Sequence, residues 1–128
     1  MYASNAYNTY KNNSVNYASK EQLLLMLLDG SVKYAKVGRQ AILDGNMKKA
    51  HENLVKTQDI FIELMATLDV NIAGEWGRSL MSVYEFINFE LTQANLKKDI
   101  QIINEVLPII EEVRDTWYEA YKLSKKEW

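Results

Sequence analysis

The chain has 128 residues, of which 48% are hydrophobic and 25% are charged, with a formal net charge of −2 and no cysteine. This length is enough to bury a core without disulfides or a structural metal, so one globular domain is expected. Because no global positive field exists, nucleic-acid binding is not expected. The lack of cysteine excludes disulfides, thiolate nucleophiles and cysteine zinc sites. One proline and five glycines favour long, uninterrupted helices.

The first residues carry neither the basic flank nor the apolar stretch of a secretory signal. The longest clean apolar run, residues 23–28, is far shorter than the about 20 residues that cross a bilayer. We therefore expect a cytoplasmic protein with no membrane insertion.

Two regions are predicted, an irregular or short-helical N-terminal arm over residues 1–18 and a helical domain over residues 19–128. The arm is rich in Asn, Ser and Tyr and shows no sustained helical period. Ser19 stands three residues before Gln22, which is the capping-box spacing that starts a helix near Lys20. Apolar residues then recur at three- and four-residue steps until the stop signal Asp44-Gly45.

Three more amphipathic segments follow. The second helix is expected to begin at Met47 and to end before a break over residues 69–74, and the third runs from Trp76 until a polar run at residues 95–98. Asp99 is a predicted N-cap for the fourth helix, in which Pro108 should produce a kink near residue 104 or restart the helix. Four helices of similar length with short connections predict an all-α, antiparallel up-and-down four-helix bundle.

Few residues of this sequence are candidates for catalysis or for metal binding. His51 is the single histidine, so histidine-based metal or acid-base sites lack the necessary second group, and no metal, cofactor or catalytic residue is expected. Carboxylates such as Asp59 alternate with basic residues, as solvated charges do. A histidine phosphotransfer-type signalling bundle through His51 is the alternative function. Leu54 and Val55, however, occupy positions where such domains usually carry small or basic residues, and a solvated polar-face histidine is the simpler interpretation.

On several helices the apolar residues cover more of the helix circumference than one core-facing stripe requires. In the second half of helix 2 the apolar residues point in nearly every direction, and similar surplus occurs on helices 3 and 4. One explanation is that each helix of a bundle meets two neighbours, so that nothing is left exposed. The other is a groove that takes up an amphipathic partner helix through apolar anchors. The candidate groove residues are Ile60, Leu64, Phe86, Phe89, Ile102, Val106 and Ile109.

Several segments, in order and spacing, resemble the flagellin-specific export chaperones from about Tyr7 to Trp117. The resemblance is strongest in Leu-Met-Leu-Leu-Asp-Gly at residues 25–30. The other matching pieces are residues 10–19, Lys-Thr-Gln-Asp-Ile at 56–60, Glu-Leu at 63–64, Leu-Asp at 68–69, Tyr-Glu-Phe at 84–86, Gln-Ala-Asn at 93–95, Lys-Asp at 98–99 and Arg-Asp-Thr-Trp at 114–117. One departure concerns Asn88-Phe89, which stands where the family often has arginines.

The resemblance implies a cytoplasmic, non-enzymatic chaperone that uses no ATP. It would bind the C-terminal helical segment of flagellin, prevent its premature polymerisation and deliver it to the flagellar type III export gate. An anti-sigma factor is a further candidate partner. Tyr7 and Tyr10 match arm positions that the resemblance assigns to partner contact, in the client groove or at the export gate protein. The surplus apolar faces would then hold a client that folds as it binds.

Overall fold

A computed structural model describes residues 19–126, which form four helices and, within that range, no strand. The helices are α1 (Lys20–Leu43), α2 (Met47–Thr67), α3 (Val70–Lys97) and α4 (Ile100–Lys126). The connections between them are two or three residues long, which forces consecutive helices to run antiparallel. The predicted arm lies outside the described residues.

Local hydrogen bonds explain where the first two helices begin. The Ser19 hydroxyl accepts from the Gln22 backbone N–H at 3.2 Å, and the Gln22 side chain accepts from the Ser19 N–H at 2.8 Å. This reciprocal pair confirms the predicted capping box. At α2 the Asn46 side chain accepts from the Lys49 N–H at 3.1 Å. Gly45, with φ of +76°, supplies the left-handed turn between the two helices.

The start of α3 differs from the prediction of a loop over residues 69–74. The Asp69 carboxylate accepts from the N–H groups of Asn71 and Ile72, at 3.0 and 3.2 Å, and this cap starts a helical turn at Val70. The connection from α2 is Leu68-Asp69, and inside α3 only Gly74 departs from helical geometry, with φ of 65° and ψ of −137° that suit only glycine. The Asp69 cap therefore starts a helix within a segment that was predicted to be a break.

The four helices share one core. Within the described range α1 packs on α2 and α4, and α3 packs on α2 and α4, with no diagonal contact between helices. This arrangement confirms the four-helix bundle. The largest fully buried side chains come from all four helices: Leu28, Leu54, Ile60, Phe61, Tyr84, Ile87, Leu91, Ile103 and Ile110.

Pro108 lies inside α4, and the helix continues through it from Ile100 to Lys126. The predicted restart of the helix at Pro108 is therefore wrong. Proline has no N–H, so the Asn104 carbonyl lacks its usual donor four residues later. Asn104 and Pro108 are both exposed, which allows water to solvate that carbonyl. The kink near Asn104 stays a prediction.

Within residues 19–126, none of the helices combines the length and the apolar character needed to cross a membrane.

Candidate partner-binding groove

A cleft of about 310 Å³ opens between α3 and α4. Its wall on α4 uses positions at three- and four-residue steps, which lie on one face of the helix. Its wall on α3 has the same periodicity. Apolar groups form most of the surface, with hydroxyl and carboxylate groups among them. The lining residues are Trp76, Ser79, Leu80, Val83, Ile109, Glu112, Val113 and Thr116.

One end of this α3–α4 cleft is built from aromatic rings. Trp76 meets Trp117 edge to face, with ring centroids 5.4 Å apart and planes at 77°. The Trp117 indole N–H donates to the Tyr84 hydroxyl at 2.9 Å. Because Tyr84 is only 1% exposed, burial raises its pKa to about 12 and the phenol stays neutral. These contacts join α3 to α4 beside the cleft.

Three of the predicted groove residues lie at or beside the α3–α4 cleft, and a fourth, Phe89, lies on α3 away from it. Ile109 lines it, and Ile102, seven residues earlier on α4, is partly buried on the same face. Phe86 follows Val83 by three residues, continues the α3 wall and is 50% exposed. Phe89 is 60% exposed and lies further round α3, towards the outer surface.

Three other predicted groove residues are core residues instead. Ile60, Leu64 and Val106 are 0%, 2% and 1% exposed. Each belongs to a helix that packs against two neighbours, so its wide apolar face is used up inside the bundle. The exposed large apolar residues of α2 are Met47, which is 44% exposed, and Ile62, which is 43% exposed. Tyr7 and Tyr10 lie outside the described residues.

Three apolar residues of α3 line the α3–α4 cleft and are not part of the buried core. Trp76, which was expected to begin the third helix, lies inside α3 and is 50% exposed. Leu80 and Val83 are only partly buried. These residues lie at the edge of the apolar stripe, and the edge nearest a neighbouring helix is where a groove can open. Sequence periodicity identifies the stripe but not how closely the neighbouring helix approaches.

His51 is exposed, as expected for a residue on the polar face of α2. Its Nδ1 lies 3.1 Å from the Asn95 side-chain nitrogen, so the ring joins α2 to α3. Over residues 19–126, no group of three or more His, Cys, Asp or Glu side chains is placed to hold a metal ion. No contact of His51 favours the phosphotransfer alternative.

Asp59 departs from the expectation of a solvated charge. It is 8% exposed, and its Oδ2 has no hydrogen-bond partner among the described residues. Burial raises the pKa of this carboxyl to about 6. An unpaired buried carboxylate is costly, so Asp59 is a weak point in the packing of α2.

Comparisons with known proteins identify the family. The sequence model of the family described as "Flagellar protein FliS" matches residues 3–124. A Bacillus subtilis protein named "Flagellar secretion chaperone FliS" is 37% identical over 127 residues, covering 99% of this chain and 94% of the relative. A Vibrio cholerae protein of the same name is 33% identical over 100 residues, covering 78% of this chain and 74% of the relative.

A solved structure described as "Crystal structure of flagellar chaperone from bacteria" has the same fold, with a TM-score of 0.73. It is 16% identical and the match covers 92% of this chain and 96% of the other. The matched family model and the relatives lead to one assignment. The chain belongs to the FliS family of flagellar secretion chaperones.

Proposed function

We propose that this protein is a cytoplasmic, non-enzymatic chaperone that binds the C-terminal helical segment of flagellin. It prevents the premature polymerisation of flagellin and delivers it to the flagellar export gate. Membership of the FliS family supports a secretion-chaperone role. The observation that carries the proposal is the exposed apolar surface on α3 beside a cleft lined mainly by apolar side chains.

The α3–α4 cleft suits a helical client. Apolar side chains on an amphipathic helix recur about one turn apart, and the walls of the cleft offer apolar contacts at the same interval. Phe86 and Phe89 extend this apolar surface beyond the cleft. A client segment that is disordered when free loses conformational entropy on binding, so the complex can be specific and still dissociate at the export gate.

Tyr7 and Tyr10 in the N-terminal arm are the proposed contacts to the export gate protein or to the client. An anti-sigma factor is a second proposed partner. Both proposals come from the family resemblance, since these arm residues lie outside the described range.

Titration calorimetry with a peptide of the flagellin C-terminal segment from the same organism tests the main proposal. We expect saturable one-to-one binding with a large negative heat-capacity change, because apolar surface is buried as the client folds. Phe86→Asp should weaken binding at least tenfold, because it places a charge where an apolar anchor is expected to dock.

Leu43→Asp is the matched control. Leu43 is also an exposed apolar residue, but it ends α1, which makes no direct contact with α3. Its substitution should leave affinity unchanged, and circular dichroism should show unaltered helix content in both variants. Absence of heat change and of complex formation by gel filtration with the unmodified protein would refute flagellin binding. Equal weakening by the two variants would refute the α3–α4 cleft as the binding surface.

A further inference from the structure

A line of carboxylates follows the α4 edge of the α3–α4 cleft. Glu112 lines the cleft, and Glu105 and Glu119 lie seven residues before and after it. Seven residues are almost two full helical turns, so these three side chains leave α4 in nearly the same direction. All three are exposed. Neighbouring members of the line are about 10.5 Å apart along the helix axis.

Two of these carboxylates make no ion pair within residues 19–125. The ion pairs in that range join Lys36 to Glu111, Arg114 to Asp115 and Lys122 to Glu119. Glu105 and Glu112 take part in none of them. The pair at Glu119 is long, 3.9 Å, and both of its side chains are about two-thirds exposed, so it is weak.

The opposite wall adds negative charge. Glu90 follows the cleft residue Val83 by seven residues on α3, so it lies on the same helix face, and it makes no ion pair in the described range. The basic residue on this line of α3 is Lys97, two turns further on at the end of the helix. Unpaired carboxylates therefore lie at Glu105 and Glu112 on the α4 side of the apolar floor, and one more lies at Glu90 on the α3 side.

We propose that the α3–α4 cleft selects a client helix whose apolar anchors are flanked by Lys or Arg at seven-residue spacing. The basic side chains would pair with Glu105 and Glu112 while the anchors fill the apolar floor. This inference rests on the proposed function and specifies which part of the flagellin segment occupies this cleft. Two helices that pack at a small crossing angle keep a seven-residue register over two turns, so both pairs can form together.

Exposed ion pairs contribute modestly to affinity, because salt and water screen them. Their larger effect is on association rate and on rejection of the wrong partner. The expected result of removing both carboxylates is therefore a loss of selectivity and salt dependence, with part of the apolar affinity retained. Phe86→Asp, in contrast, is expected to reduce the affinity itself, because it removes an apolar anchor.

The test uses the full-length protein and the flagellin C-terminal peptide at low and high NaCl concentration. Binding to the unmodified protein should weaken as salt increases. The double variant Glu105→Gln/Glu112→Gln should bind about three- to tenfold more weakly at low salt and lose most of the salt dependence. The control Glu21→Gln/Glu52→Gln changes the net charge equally on α1 and α2, at exposed positions, and should behave as the unmodified protein.

A peptide in which the Lys and Arg residues are replaced by Gln provides the reciprocal test. It should bind the unmodified protein and the Glu105→Gln/Glu112→Gln variant equally. If the flagellin peptide binds but the two double variants have the same affinity and salt dependence, the charge selection is overturned and flagellin binding stands. If the flagellin peptide does not bind the unmodified protein at any salt concentration, both proposals are overturned.

Discussion

The indole N–H of Trp117 donates a hydrogen bond to the hydroxyl of Tyr84, and the two atoms are 2.9 Å apart. Tyr84 is buried on α3, and its ring meets Phe61 of α2 edge to face at 5.8 Å. Trp117 in turn contacts Trp76 at the end of the α3–α4 cleft. The bond therefore connects the bundle core to the proposed client surface through one buried polar group.

Removal of the Tyr84 hydroxyl should destabilise the bundle. Tyr84→Phe loses the acceptor for Trp117, and we expect the free energy of unfolding to fall by about 1 kcal/mol. A double-mutant cycle with Trp117→Phe, measured by urea unfolding, should give a coupling energy of about 0.5–1.5 kcal/mol. Tyr121→Phe is the control, because the Tyr121 hydroxyl has no hydrogen-bond partner among the described residues. A coupling energy near zero would show that this hydrogen bond contributes nothing to stability.

Neutralisation of Asp59 should stabilise the protein in a pH-dependent way. Its pKa in the folded state is raised to about 6, above the ordinary value of 3.8, so the folded protein binds the proton more tightly than the unfolded chain. Stability should therefore fall as the pH rises from about 4 to about 6, and the cost should persist above that range. Asp59→Asn should gain about 1–3 kcal/mol at pH 7.5 and little at pH 3.5.

Chemical denaturation at the two pH values measures this gain. Glu52→Gln, an exposed substitution on the same helix, should show no such difference. An Asp59→Asn gain of equal size at both pH values would mean that the raised pKa of Asp59 is not its cause.

Because Lys98 has a left-handed backbone conformation, we expect glycine to reduce stability less than valine at this position. Lys98 is the C-cap residue that follows α3, with φ of 49° and ψ of 43°, and its ammonium donates to the Asn95 side-chain oxygen at 2.8 Å. Lys98→Val should cost about 1–2 kcal/mol, because a β-branched residue is strained at positive φ. Lys98→Gly should change stability by less than about 0.5 kcal/mol, since relief of strain offsets the lost hydrogen bonds. Thermal unfolding of both variants tests this order, and a more harmful glycine would contradict it.

Replacement of Pro108 should strengthen α4. Pro108→Ala restores the N–H that can donate to the Asn104 carbonyl. We therefore expect the free energy of unfolding to rise by about 1–3 kcal/mol. Gln101→Ala, on the exposed face of the same helix, should change stability by only a few tenths of a kcal/mol. Urea unfolding measures both. An unchanged stability of Pro108→Ala would show that α4 already accommodates proline without cost.

The helix boundaries were largely predictable because local interactions determine them. The cap at Ser19 and the stop at residues 44–45 involve residues within one turn of each other, so the sequence contains both partners. The start of α3 was misjudged because Asp69 was interpreted as part of a loop, although its carboxylate caps a helical turn. The chain leaves helical geometry at residues 68–69, between α2 and α3, and again at Gly74 inside α3.

The candidate site was less predictable because burial depends on neighbouring helices. Ile60 and Phe86 are both apolar residues on amphipathic helices, yet the first is 0% exposed and the second is 50% exposed. Similarly, Asp59 was expected to be solvated, but it is buried. Hydrophobic periodicity specifies the direction in which a side chain leaves its helix, but not what it meets there.

The number of helices, their approximate limits, the all-α class and the resemblance to the family were therefore predictable from the amino-acid sequence. The helices and their limits arise from hydrogen bonds and periodic patterns within short segments, and the resemblance arises from the order of matching segments. The packing of the helices was needed to show that the α3–α4 contact leaves a cleft and that Trp76 and Glu112 line it. The reason is that a groove is set by the distance and angle between two packed helices, which many side chains determine together.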